Sequence, residues 1–185
     1  MRKYALLVDS SRCIGCFACL VACQNQNELA DDSSFIRFEE QESGQFPNVK
    51  FMMTPLQCMH CAAAPCVAIC PTGASAKDPE TGLTLVDRGK CIGCRRCVAA
   101  CPYNARFYLK DAAVAQGCNL CLSLLKAGQE PACVATCLTR ARLFGDLEDP
   151  QGEFAKMAPK AKALRPDFNT KPTALYILQA QEGAK

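Results

Sequence analysis

The sequence predicts an α+β fold, loop-rich and internally duplicated, on three observations. Sixteen of its 185 residues are cysteine, and they fall into four groups of four with none left over. One group recurs, with its spacing intact and part of its leading flank, further down the chain. Each copy follows a short apolar, partly β-branched run and leads into a stretch without Gly or Pro, the pattern of a strand entering and a short helix leaving.

The groups are Cys13, Cys16, Cys19 and Cys23; Cys58, Cys61, Cys66 and Cys70; Cys91, Cys94, Cys97 and Cys101; and Cys118, Cys121, Cys133 and Cys137. From Leu7 to Cys23 the chain reads LVDSSRCIGCFACLVAC, and from Leu85 to Cys101 it reads LVDRGKCIGCRRCVAAC, ten identities in seventeen positions without a gap. Groups two and four are related more distantly, since PCVAICPTGA from Pro65 matches PACVATCLTRA from Pro131 after one inserted residue. The chain therefore reads as a two-motif unit used twice.

In chain order, Tyr4 to Val8 is a strand entering group one, and Cys16 to Gln26 is a helix leaving it. Residues 24–57 are polar and mixed, with no period that assigns an element. Asp78-Pro79-Glu80-Thr81-Gly82 is a turn. Leu83 to Val86 is the strand entering group three, and Cys94 to Ala100 is a helix that Pro102 closes.

Groups one and three have the form C-x2-C-x2-C-x3-C, the spacing of a bacterial ferredoxin motif. Three cysteines set three apart in a tight loop surround one face of an iron-sulfur cube. The fourth, on the following helix, points to a neighbouring cube. Groups two and four, C-x2-C-x4-C-x3-C and C-x2-C-x11-C-x3-C, keep the opening and closing spacings and lengthen the loop between. Gly15 and Gly93, inside C-I-G-C, suit a loop that brings backbone N–H groups up to sulfur. Four-cysteine zinc sites use separate C-x2-C pairs and need no third cysteine three residues on. Disulfide scaffolds have no use for groups that close in C-P, as two of these do. The expected cofactors are four 4Fe-4S clusters.

His60, the sole histidine, lies inside C-M-H-C of group two and is expected to brace the site through an N–H to a sulfur or a carbonyl. Arg95 and Arg96 lie between cysteines, either raising a cluster's potential or standing as a solvated pair. The chain has no Ser-His-Asp set, phosphate loop, nucleotide fingerprint or spare cysteine, so no catalytic residue is expected. The formal charge of +3 becomes about −5 if each oxidised cluster with its thiolates carries roughly −2, which gives no reason to expect nucleic acid. No apolar run approaches the roughly eighteen residues of a membrane span. At the start, five apolar residues before Asp9 are too few for a secretory core, and Arg2-Lys3 is not a twin-arginine pair.

The segments VDSSRCIGCFACLVACQNQN, QCMHCAAAPCVAICPTGAS, KCIGCRRCVAACPYNARFY, GCNLCLSLLKAGQEPACVATC and FGDLEDP, with a tail carrying LRPDFNTKPTALYIL, span residues 4 to 178. Together they resemble the iron-sulfur subunits of molybdopterin oxidoreductases of the dimethyl sulfoxide reductase superfamily, the polysulfide reductase type above all. Leu138 departs from the resemblance, where the family usually has Pro after the last cysteine. The resemblance implies two ferredoxin-like units that pass electrons between a molybdenum or tungsten bis-pterin catalytic subunit and a quinone-linked membrane anchor or another carrier. Substrates across that family include polysulfide, thiosulfate, tetrathionate, arsenate, dimethyl sulfoxide and formate. It also implies a membrane-associated complex on the outer face, reached by co-export with a signal-bearing catalytic partner. The alternatives are the equivalent subunit of a formate dehydrogenase or hydrogenase complex, and a freestanding polyferredoxin.

Adjacent groups two and three both end in C-P and are expected to share one inner unit, residues 50–110. Cys58, Cys61, Cys66 and Cys101 then hold one cluster and Cys70, Cys91, Cys94 and Cys97 the next. Groups one and four form an outer unit, residues 1–30 with 111–150, in which Cys13, Cys16, Cys19 and Cys137 hold one cluster and Cys23, Cys118, Cys121 and Cys133 the other. The resemblance supports this order. Residues 31–49 connect the units. The tail, 151–185, is expected to pack along the cluster region and dock a partner, while a chain cut after Pro150 is expected to keep its clusters.

Overall fold

The computed structural model describes residues 3–30 and 33–178. Met1 and Arg2 of the expected outer unit, Asp31 and Asp32 of the connection and residues 179–185 of the tail lie outside the described residues. The chain is α+β, with short helices at the cysteine groups and short strands between them.

Strand β1 (Tyr4–Asp9) explains its own position by its period of two. Ala5 and Leu7 pack on one face against Leu143 and Phe154. Leu6 and Val8 face the other way, into cores that contain cysteines. Leu6, Leu7 and Val8 are each almost fully buried, worth about 1.5–3 kcal/mol apiece. Helix α1 (Ala18–Asn27) starts two residues later than the sequence predicts, because Phe17 sits in the left-handed region at φ 58°. Glu28 closes it in the same region, its N–H reaching the carbonyls of Gln24 and Asn25.

Residues 37–56, which the sequence left without an element, form one long hairpin of β2 (Arg37–Gln45) and β3 (Asn48–Leu56). They pair antiparallel from Arg37 opposite Leu56 to Gln45 opposite Asn48. Its base is buried through Leu56 and Thr54, whereas Phe46, Val49 and Phe51 near the tip are exposed.

Helix α2 (Pro65–Ala68) carries Cys66, and two ribbons follow. The first pairs β4 (Ser75–Lys77) with β5 (Thr84–Val86) across the predicted turn, which Gly82 closes on the Asp78 carbonyl. Helix α3 (Arg96–Ala99) carries Cys97, and the second ribbon pairs β6 (Phe107–Leu109) with β7 (Val114–Gln116). Helices α4 (Leu122–Lys126) and α5 (Ala132–Ala135) belong to group four, and β8 (Arg142–Asp146) runs antiparallel beside β1. Helix α1 packs against α5, and α2 against α3.

The tail is part of the fold. Helix α6 (Gly152–Met157) lays the Phe154 ring directly over Gly145, where a Cβ would collide with it. Strands β9 (Lys162–Ala163) and β10 (Leu175–Ile177) complete a sheet of order β8-β1-β10-β9, with β10 parallel to β1. Just before β10 the tail binds the loop of group two. Ala62 N–H donates to the Lys171 carbonyl at 2.8 Å, Ala63 N–H to Thr170 at 3.0 Å, and Thr173 N–H to Met59 at 3.0 Å. The expectation that a chain cut after Pro150 keeps its clusters is revised on this account, because the cut removes the lining of a cluster loop.

Candidate iron-sulfur sites

The two copies of C-I-G-C share a backbone as well as letters. Gly15 and Gly93 have φ of +66° and +67°, and Phe17 and Arg95, each one residue past the second cysteine, have +58° and +60°. A Cβ on Gly93 would strike the Ala113 carbonyl, so only glycine fits there. This left-handed pair wraps the loop tightly, and in group three it puts Cys91, Cys94 and Cys97 around one hollow. The second cysteines, Cys16 and Cys94, remain exposed, and Ile14 and Ile92 beside them are each 66% exposed.

Three small hollows open among the cysteines. Cys23, Cys118, Cys121 and Cys133 line one. Cys70, Cys91, Cys94 and Cys97 line another, and Cys58, Cys61, Cys66 and Cys101 the third. Of the remaining four, Cys19 lies within the field of Cys13 and Cys137; Cys16 is at the surface. All sixteen are free of disulfides. Among the described residues, no three Cys, His, Asp or Glu are gathered tightly enough for a single metal ion.

N–H groups aim at these sulfurs. Ser75 N–H donates to Cys70 Sγ at 3.3 Å, Ala105 N–H to Cys101 Sγ at 3.4 Å, and Leu120 N–H to Cys118 Sγ at 3.4 Å. Thr72 and Thr139 stand in the same relation to Cys70 and Cys137, which matches the weaker repeat between groups two and four. Burial pushes the Cys58 thiol up to about 11 and Cys23 to about 12, with neighbouring cysteines adding to the rise, and lifts Cys118 well above the usual thiol range. Thiolates form in such places only when a metal takes the proton's position.

His60 is buried, and its Nδ1 accepts the Thr84 N–H at 3.1 Å. The ring proton is therefore on Nε2, which has no partner among the described residues. Burial, with Lys77 and Arg106 nearby, lowers its pKa to about 3, so it stays neutral. Lys77 Nζ braces the same loop by donating to the carbonyls of His60 and Cys61, 3.1 Å each. Arg95 and Arg96 are exposed, with the Arg95 guanidinium 3.9 Å above the Tyr108 ring.

The sequence reading missed Arg106 and Arg142, the two arginines buried among the cysteines. Arg106 Nη2 donates to Cys66 Sγ at 3.5 Å and to Ser75 Oγ at 3.2 Å. Arg142 lines the hollow of Cys23, Cys118, Cys121 and Cys133, and its Nη2 donates to Gln57 Oε1 at 2.8 Å. Nε of both, and Nη1 of Arg142, are buried without a partner among the described residues. Four thiols around a hollow, with buried N–H donors left over at its wall, are a donor set that fits a 4Fe-4S cube and its sulfides. Comparing CPYNAR at the end of group three with CLTRAR at the end of group four would have found both arginines.

Residues 49–147 match a family described as a 4Fe-4S dicluster domain, and residues 12–74 match a second of the same description. The chain is 43% identical to the protein NrfC of Escherichia coli over 95% of this chain and 75% of that one. It is 43% identical to the thiosulfate reductase electron transfer subunit PhsB of Salmonella typhi, over 80% of this chain and 79% of the relative. A subunit of the tetrathionate reductase of Salmonella typhimurium is 37% identical over 95% and 72%. Two dicluster matches and sixteen cysteines give four 4Fe-4S clusters. This chain belongs to the family its motifs resemble, the 4Fe-4S electron-transfer subunits of oxidoreductase complexes.

Proposed function

We propose that this chain carries electrons between a molybdopterin catalytic subunit and a quinone-linked membrane anchor or other carrier, in a respiratory reductase of the polysulfide, thiosulfate or tetrathionate class. The observation that carries the reading is the similarity, over 80% and 95% of this chain, to subunits named for thiosulfate and tetrathionate reductases. When bound, each cluster takes up and returns one electron at a time. The chain supplies the insulation around that chemistry: apolar cores at the cysteines, N–H donors on the thiolates, and a buried guanidinium in each half. No helix of the described residues is long and apolar enough to cross a membrane. In this reading the anchor is a separate partner, and the complex sits at the outer membrane face by co-export with the catalytic subunit.

The ligand assignment follows the motif geometry. Two ferredoxin-like units each hold two clusters: groups one and four make the outer unit, residues 1–30 with 111–150, and groups two and three the inner unit, residues 50–110. Packing of α1 on α5 and of α2 on α3 supports it, as do three hollows each lined by one expected set of four. The set Cys13, Cys16, Cys19 and Cys137 completes it.

The function is tested by affinity-purifying the tagged chain from its native host and assaying for a bound pterin. A co-purifying pterin protein is expected, and recovery of the chain alone would overturn the role. The assignment is tested by Cys101→Ser: the perturbed paramagnetic resonance signal is expected from the cluster of Cys58, Cys61 and Cys66, and perturbation of a cluster of group one or four would refute the pairing.

A further inference from the structure

Both buried arginines stand five residues past the last cysteine of a group, in Cys101-Pro-Tyr-Asn-Ala-Arg106 and Cys137-Leu-Thr-Arg-Ala-Arg142. Groups one and two have Glu28 and Ser75 at that place. On the pairing proposed above, each two-cluster unit therefore has one arginine and not two. Arg106 is 4% exposed and Arg142 1%. No ion pair among the described residues gives either of them a carboxylate. The groups whose negative charge would act on Arg142 are Cys133, Cys19 and Cys118, cysteines of both its clusters, with the Tyr176 hydroxyl beside them. Those on Arg106 are Cys58, Cys66 and Cys97, again from both clusters of its unit.

A cation buried without a carboxylate is strongly disfavoured unless another anion compensates it. Here the compensating charge is the thiolates, and with iron and sulfide in place each cluster carries roughly −2 when oxidised and roughly −3 when reduced. A fixed positive charge favours the more negative state. Nothing else changes in that step: one electron enters, the core goes from 2+ to 1+, and no bond or proton moves. The guanidinium cannot lose its proton, so its charge is constant across the working pH range.

Arg142 is also held in place. Gln57 accepts from its Nη2 and donates through Nε2 to Tyr176 Oη at 3.0 Å, all three residues being almost fully buried. Gln57 immediately precedes Cys58 of the inner unit, and Tyr176 lies on β10 of the tail. The clamp therefore spans outer unit, inner unit and tail, and it leaves Nε and Nη1 free for sulfur.

We propose that Arg106 and Arg142, each at the wall of one cluster hollow, are the potential-setting charges of the inner and outer cluster pairs, each raising the reduction potentials of the clusters of its unit, with Gln57 and Tyr176 fixing the second. The proposal rests on the cysteine pairing only for which clusters respond, and Cys101→Ser tests that pairing separately.

The test is a redox titration of the full chain with its clusters, reduced stepwise by dithionite with mediators and followed by paramagnetic resonance. Arg142→Gln is expected to lower the reduction equilibrium of the outer-pair clusters by about tenfold, a shift of about 59 mV for one electron, at unchanged iron content. The inner pair should stay within a third of that shift. Arg142→Lys, which keeps the charge, should recover most of the potential, which a purely packing role would not require. Arg106→Gln should give the mirror result in the inner pair. Gln57→Glu provides a second route, because an isosteric carboxylate against the guanidinium cancels its field without removing it, and it should shift the outer pair in the same direction. Full iron content with unmoved midpoints in Arg142→Gln and Gln57→Glu would overturn the proposal. So would loss of iron from both, which would leave these residues a structural role alone.

Discussion

Removing iron from this chain is expected to unfold it. The native chain should carry about sixteen irons and about sixteen acid-labile sulfides, with broad brown absorbance bleached by dithionite. Its apolar cores are not independent of that content. Cys23 and Cys133 belong to the core of Leu6, Phe35 and Leu120, Cys58 and Cys61 to that of Val8, Leu56 and Tyr103, and Cys66 and Cys97 to a third with Ala115. Emptying a cluster site leaves a void at the centre of its core. A void left by one deleted leucine side chain costs about 2.7–5 kcal/mol, and a whole domain is stable by only about 5–15 kcal/mol. Several such voids together exceed what the rest of the fold supplies. Anaerobic chelation should therefore abolish protease resistance and cooperative thermal unfolding together with the colour. A metal-free chain that stays compact and protease-resistant would refute this.

Truncation after Pro150 should have nearly as large an effect. It removes β9 and β10, half of the four-stranded sheet, and with them Tyr176, which is 2% exposed and bonded to Gln57. Leu7, Val8 and Asp9 lose their parallel neighbours, and the group-two loop loses the hydrogen bonds from Ala62 and Ala63 to the tail and from Thr173 to Met59. Tyr103 loses its 2.7 Å partner Thr170. The expected product is poorly soluble, with fewer than sixteen irons per chain, the deficit falling first on the cluster proposed at Cys58, Cys61, Cys66 and Cys101. A milder variant, Tyr176→Phe, keeps the ring and removes only the hydroxyl, at a cost of about 1–3 kcal/mol for leaving Gln57 Nε2 unpaired. A truncated chain that purifies with its full iron would sink the structural role given to the tail.

What was legible in the sequence was local. Cluster motifs are fixed by spacings of a few residues, and β1 announces itself because both its faces are buried. The β2–β3 hairpin was not legible. RFEEQESGQ puts polar side chains on both faces of an exposed ribbon, so no period of two survives. Strand β10 falls inside Ala174 to Leu178, an apolar β-prone patch that is legible, but its partner β1 is remote in the chain, so the pairing was hidden and the patch was not. Arg142 was hidden for another reason: its burial depends on Gln57, eighty-five positions earlier. The start of α1 moved because Phe17 takes a conformation usually left to glycine, which composition does not disclose.

The parallel pairing of β1 with β10 has a consequence for biosynthesis. Leu7 leaves the ribosome long before its neighbour Leu175 has been made. At about 5–20 residues per second, the earlier strand waits many seconds before its sheet can close. Throughout that interval Leu7, Val8 and Asp9 lack the strand that pairs with them, and the group-two loop lacks the backbone of Thr170 and Lys171 against which it sets. The group-two loop therefore gains its final backbone support only after the tail has been made, so the last step of its assembly is post-translational.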